Sequence, residues 1–136
     1  MMTSASQCLK ISQHSSKGRM VIATQPIQSG AIVEIAPVIA ISAKTRELVR
    51  PTELFQYCFV RPDDYKRERP ASGYLVLGFA TLCNHSNQPN AVVEWLHDEH
   101  GYWAHLIALE QINSGKEIVL RYTDLEEYQS YSRFQE

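Results

Sequence analysis

The chain lacks the devices that often stabilise or localise a small protein. Its three cysteines, Cys8, Cys58 and Cys83, stand far apart, so no disulfide framework and no paired zinc spacing can be read from them. No hydrophobic run approaches a membrane span. No basic segment leads into an apolar stretch near the start, so no secretory leader is expected. Excess positive charge is missing too: 13 lysines and arginines face 15 aspartates and glutamates, for a net charge of −2. That balance argues against nucleic acid as the main partner and leaves room only for a local basic patch. What remains is a 136-residue chain, long enough for one domain with its own core. Reduced thiols fit a cytoplasmic protein.

Short β-branched runs dominate the pattern. Leu9–Ser12, Met20–Thr24 and Ile32–Ile41 read as strands, with Pro37 suggesting an edge or a bend in the third. Ile27-Gln28-Ser29-Gly30 and Ile112-Asn113-Ser114-Gly115 echo each other. Each follows a strand-like run and supplies a glycine for a turn, which predicts two similar β-turn-β units. The best helix lies at about 43–60, in one piece or two, with Pro51 suited to a first helical position. Leu54, Phe55, Cys58 and Phe59 share a face there. Residues 61–73, charged and proline-bearing, read as a surface loop. Tyr74–Ala80 reads as buried strand or extended chain. Val92–Leu96 and Tyr102–Leu109 flank a turn at 97–101, and the second arm is apolar on both alternating faces, which predicts cover on both sides. The expected architecture is mainly β: small curved sheets with one short helical insert. Residues 1–8 are expected to be a mobile N-terminus, 9–124 the domain, and 125–136 a C-terminal tail.

Two segments stand out chemically. Gly78 to Asn90 carries an apolar run into a polar knot, Asn84-His85-Ser86-Asn87-Gln88-Pro89-Asn90. Such a break rarely serves packing, because each polar side chain must find a partner or stay in water. About thirty residues on comes Ser114-Gly115-Lys116-Glu117-Ile118-Val119-Leu120-Arg121-Tyr122. Simpler readings exist for parts of both. Asn84 and Ser86 suit turn capping, and Tyr122 suits a core position at a strand end. Cys83 and His85 would stand about 7 Å apart on one strand face, too far for a thiol–imidazole dyad without a bend, so Cys83 reads as packing. His97, His100 and His105 invite a metal, but a charged turn explains His97 and His100 better, and no metal site is assigned.

The two segments, in this order and separation, resemble the SET-domain protein lysine methyltransferases. Lys17-Gly18-Arg19-Met20-Val21-Ile22-Ala23, followed by Ile27 and Gly30, is similar to that family's N-terminal glycine motif. Asn84-His85-Ser86 with Pro89-Asn90 is similar to its cofactor motif, and Gly115-Lys116-Glu117-Ile118 to Tyr122 is similar to its catalytic segment. The run from Leu77-Gly78-Phe79 into the knot most resembles compact viral and bacterial members without a zinc-binding C-terminal extension. The resemblance implies the SET (β-clip) fold, with a C-terminal segment threaded beneath a preceding loop so that Asn84 and His85 come beside Tyr122. It implies S-adenosylmethionine as methyl donor, held by Gly18, Arg19, Met20, Asn84, His85 and Tyr122. It implies catalytic roles for Tyr122 and Tyr57, a lysine-bearing protein or peptide substrate, and a homodimer. A phenol is a weak base, so Tyr122 is expected to orient the amine and not to deprotonate it. Four departures accompany the resemblance. Met20 stands where a second glycine is usual, Asn87 replaces a cysteine, and Arg121 replaces a small or acidic residue. No cysteine cluster follows Tyr122, so Tyr128, Tyr131 and Phe134 become candidates to close the lysine channel. The alternative reading is a SET-fold peptide-binding module with weak or no methyl transfer.

Overall fold

Alternation of apolar and polar side chains places eight strands among the described residues, which the computed structural model gives as 8–14, 16, 18–67 and 70–124. The tail residues Tyr128, Tyr131 and Phe134 and the polar N-terminus through residue 7 lie outside them. β1 (Leu9–His14) and β2 (Gly18–Ala23) form an antiparallel hairpin. β3 (Ile32–Ile41), β4 (Gly73–Val76), β6 (Ala91–Asp98) and β7 (Gly101–Ala108) form an antiparallel sheet in the order β4-β3-β7-β6. β5 (Asn84–His85) and β8 (Val119–Leu120) form a two-residue parallel pair. The core lies between these sheets, around the fully buried Val21, Val33, Leu106, Ile112 and Ile118. This is the mainly-β architecture of small sheets and few helices that the sequence predicts.

The two echoing turns pair with each other. Ile27 and Ile112 exchange backbone hydrogen bonds of 2.8 Å in both directions. Gly30 and Gly115 take φ of 84° and 86°, a left-handed conformation that costs glycine nothing.

Between β3 and β4 the insert holds three short pieces. α1 (Ala43–Val49) is capped by the Ser42 hydroxyl, which accepts from Thr45 N. A 3-10 turn spans Glu53–Tyr57, with the Thr52 hydroxyl accepting from Leu54 N. Pro51 therefore falls between helices and not at the head of one. α2 (Pro62–Arg67) replaces the loop expected at 61–73. The charges that suggest a loop are ordered for a helix: Pro62 leads, Asp63 and Asp64 fill the first turn, Lys66 and Arg67 the last.

Two further expectations are corrected. β3 is central, not an edge. Pro37 fits because β4 pairs only from Val38 onward, and the Pro37 carbonyl, on the side where its missing N–H would point, accepts from Leu77 N. β7 buries only one face: Ala104, Leu106 and Ala108 are buried, whereas Trp103, His105 and Ile107 are half-exposed. Leu109, beyond the strand, is half-exposed as well. The outer face is thus only partly covered.

Candidate active site

Residues 83–90 and 117–122 run side by side and are bonded along their whole length. β5 pairs with β8 in the register Asn84↔Val119 and His85↔Leu120. Ser86 N donates to Leu120 O at 2.8 Å. Asn90, 4% exposed, acts as a spliced-in strand residue. Its Nδ2 donates to Glu117 O at 2.8 Å and its Oδ1 accepts from Val119 N at 3.0 Å. A primary amide carries the same donor and acceptor as a peptide unit, so this side chain satisfies backbone groups that no longer strand reaches.

Tyr122 ends this seam. Its backbone N–H donates to His85 Nδ1 at 3.0 Å, and its phenol donates to the Cys83 carbonyl at 2.5 Å. The two rings lie 5.3 Å apart at 60°. Because His85 Nδ1 accepts, the neutral ring carries its hydrogen on Nε2, which faces Asn87 Oδ1 at 3.3 Å. That commitment leaves no imidazole nitrogen for Cys83, whose thiol donates weakly to Phe79 O at 3.6 Å. Cys83 is fully buried, in keeping with packing.

Asn84 joins the seam to β2. Its Nδ2 donates to Arg19 O at 3.1 Å and to Glu117 Oε2 at 2.8 Å. Both partners are acceptors, which fixes the amide orientation. Among the described residues its Oδ1 has no donor, so that oxygen can accept from a ligand N–H. Gly18, at φ 77°, has open space where a Cβ would project, and a ligand can approach its backbone closely. Met20 is half-buried opposite Ser12. The glycine motif and the Asn-His pair are therefore neighbours.

A carboxylate sets the approach to this seam. A bulge between Ile32 and Glu34 makes Val33 and Glu34 both face inward. Glu34, 6% exposed, accepts from Phe79 N at 2.8 Å and Ala80 N at 3.2 Å. It thereby caps the 3-10 turn Phe79–Leu82 that leads into Cys83. A Cβ on Gly78 would stand 2.6 Å from this carboxylate, so a side chain there would displace Glu34 from its bonds to Phe79 and Ala80. The sequence reading assigned no role to Glu34 and placed Asn90 only within the cofactor-like motif, and neither a bulge nor a side-chain splice has a local pattern.

On the other side of Tyr122 opens a cleft of about 140 Å³, lined by Phe59, Val93, Trp95, Leu109, Arg121 and Tyr122 among others. Phe59 meets Trp95 edge-on at 5.7 Å. Of the predicted site residues, only Tyr122 lines it; Gly18, Arg19, Met20, Asn84 and His85 do not. Tyr57 does not either, although its neighbours Gln56 and Cys58 do. Tyr57 is half-buried at the end of its 3-10 turn. Burial pushes the Cys58 thiol up, Arg46 opposing and Asp124 adding. Beneath the cleft, Arg46 donates to Asp124 at 2.7 Å, with side chains 1% and 4% exposed. This ion pair ties α1 to the chain two residues past Tyr122. Arg46 and Arg50 both lie over the buried Phe55 ring, at 4.8 and 4.6 Å. Among the described residues no cluster of three or more His, Cys, Asp or Glu is placed to hold a metal.

Comparison with known proteins agrees with this geometry. The family model described as SET domain matches residues 18–123. The Schizosaccharomyces pombe protein named histone-lysine N-methyltransferase, H3 lysine-37 specific, is 29% identical over 116 residues, covering 85% of this chain and 74% of that protein. A solved Plasmodium falciparum structure, described as a candidate histone methyltransferase, superposes with a TM-score of 0.65 at 26% identity, covering 89% of this chain and 95% of that one. The Neurospora SET domain protein DIM-5, a histone lysine methyltransferase, shares the fold with a TM-score of 0.64 at 21% identity, covering 84% of this chain and 51% of that one.

Proposed function

This chain belongs to the SET-domain family, and we propose that it transfers a methyl group from S-adenosylmethionine to the side-chain amine of a lysine in a protein. The observation that carries this reading is the double attachment of Tyr122. Its backbone is fixed to His85 and its phenol to the Cys83 carbonyl, while the residue also lines the cleft. In this reading Tyr122 links the donor groups at Gly18, Arg19 and Asn84, through its bond to His85, to the apolar cleft that it lines.

The donor, when bound, supplies an electrophilic methyl on a sulfonium. The Gly18–Met20 backbone, Asn84 Oδ1 and the neighbouring His85 are the groups that would hold it, and His85 also fixes the Tyr122 backbone. A lysine amine, ordinarily protonated up to about pH 10.4, must lose its proton before attack. The walls of Phe59, Val93, Trp95 and Leu109 disfavour the charged form by desolvation. The Tyr122 hydrogen is committed to Cys83 O, so its oxygen lone pairs remain to accept an amine N–H and aim the nitrogen. That is an orienting role, and in-line orientation is where much of the rate is gained.

Methyl incorporation into lysine peptides by the wild type and Tyr122→Phe tests the reading. The variant is expected to lose roughly 100-fold in kcat while donor binding, read by calorimetry, persists. Full activity in Tyr122→Phe would remove the residue from its role. A wild type that binds no donor would favour the peptide-binding alternative. The cytoplasmic location and the homodimer belong to the proposal on the same footing.

A further inference from the structure

Two of the described side chains lining the cleft are charged, Arg121 and Asp124. Asp124 is 3% exposed and neutralised by Arg46 at 2.7 Å. Arg121 is exposed, immediately precedes Tyr122, and has no ion-pair or hydrogen-bond partner among the described residues. Other charges at the rim flank Pro62. Arg61 sits over the Tyr74 ring at 5.7 Å. Asp63 is exposed in the first turn of α2, and Asp64 is engaged by Tyr74 at 2.7 Å and Arg67 at 3.4 Å. Among the described charged side chains that line the cleft, Arg121 is therefore the one that no opposite charge engages, and it stands over apolar walls that concentrate the field.

We propose that Arg121 selects the substrate by pairing with an aspartate or glutamate beside the target lysine. The preferred segment is acidic-flanked, and segments crowded with lysine and arginine are disfavoured. This rests on the cleft being the lysine site. Adjacent Cα atoms lie about 3.8 Å apart, and an extended peptide advances about 3.3 Å per residue. The carboxylate that Arg121 reaches therefore lies within about two or three residues of the lysine. Guanidinium and carboxylate match as a two-toothed pair, but at an exposed rim the pairing is modest and screened by salt.

The test uses short fluorescent peptides with one lysine in an uncharged background, and a glutamate or an arginine placed at each neighbouring position in turn. Binding is read by anisotropy and methylation by incorporation, with wild type, Arg121→Lys and Arg121→Glu. The glutamate peptides are expected to bind roughly threefold to fivefold more tightly than the arginine peptides at low ionic strength. The preference should appear in KM more than in kcat, fade with added salt, survive in Arg121→Lys and invert in Arg121→Glu. Equal binding of both sets, or the same order in Arg121→Glu, overturns the proposal. If the neutral peptide is still methylated in that case, the methyltransferase reading stands without it. Ordered binding with no methylation of any peptide would instead uphold Arg121 as the selector and sink the enzyme reading.

Discussion

The turns at Ile27–Gly30 and Ile112–Gly115 are nearly the same object with different fates. They share sequence spacing, a glycine at φ near 85° and reciprocal hydrogen bonds between their isoleucines. The first opens into the ten-residue β3, which is bonded on both edges by β4 and β7. The second opens into the two-residue β8, which is secured by side chains: Asn90 on its backbone, Asn84 on Glu117, and Arg46 on Asp124 just beyond. Backbone ladders hold a strand wherever partners run beside it. Where the ladder is only two residues long, as before Tyr122, polar side chains reinforce it.

If side chains carry the second unit, removing them should cost much more than disturbing either turn. Asp124→Ala leaves the Arg46 guanidinium buried without its carboxylate, and about 3–5 kcal/mol of stability should disappear, read by urea unfolding. A loss below 1 kcal/mol would mean that the ladder alone secures the segment. Asn90→Ala exposes two buried backbone groups to no partner, and should cost about 2–3 kcal/mol, with methyl transfer falling alongside. Stability unchanged by Asn90→Ala would erase the contrast with β3. The smallest effects should come from the turns. Alanine at Gly30 or Gly115 meets no atom within 4 Å, so each should cost only about 1–2 kcal/mol of backbone strain. Only Gly115→Ala should also reduce activity, because only its turn leads to Tyr122. Equal activity losses in the two variants would show that the turns are not separable in function.

Much of the site was legible because it is local. The Asn84-His85 pair and the Glu117–Tyr122 run are contiguous, and polar residues breaking an apolar run announce themselves. The helix Pro62–Arg67 was not legible, since the same charges that suit a solvated loop also suit the two ends of a helix. Glu34 was missed because a bulge, not the alternating pattern, turns it inward. Tyr57 stands between two residues that line the cleft, Gln56 and Cys58, without lining it itself. Met20 sits half-buried in β2 without lining the cleft.

Composition and motif spacing by themselves determined the β-rich class, the paired turns and the identity of the polar segments, because these depend on neighbours within a few residues. The tertiary structure alone decided that residues 33 positions apart, such as Asn84 and Glu117, share hydrogen bonds, and that Tyr122 both bonds to His85 and Cys83 and lines an apolar cleft. Those relations depend on which strand lies beside which, and closing a chain across such distances is settled by the burial and hydrogen bonding of the whole domain, not by any one stretch.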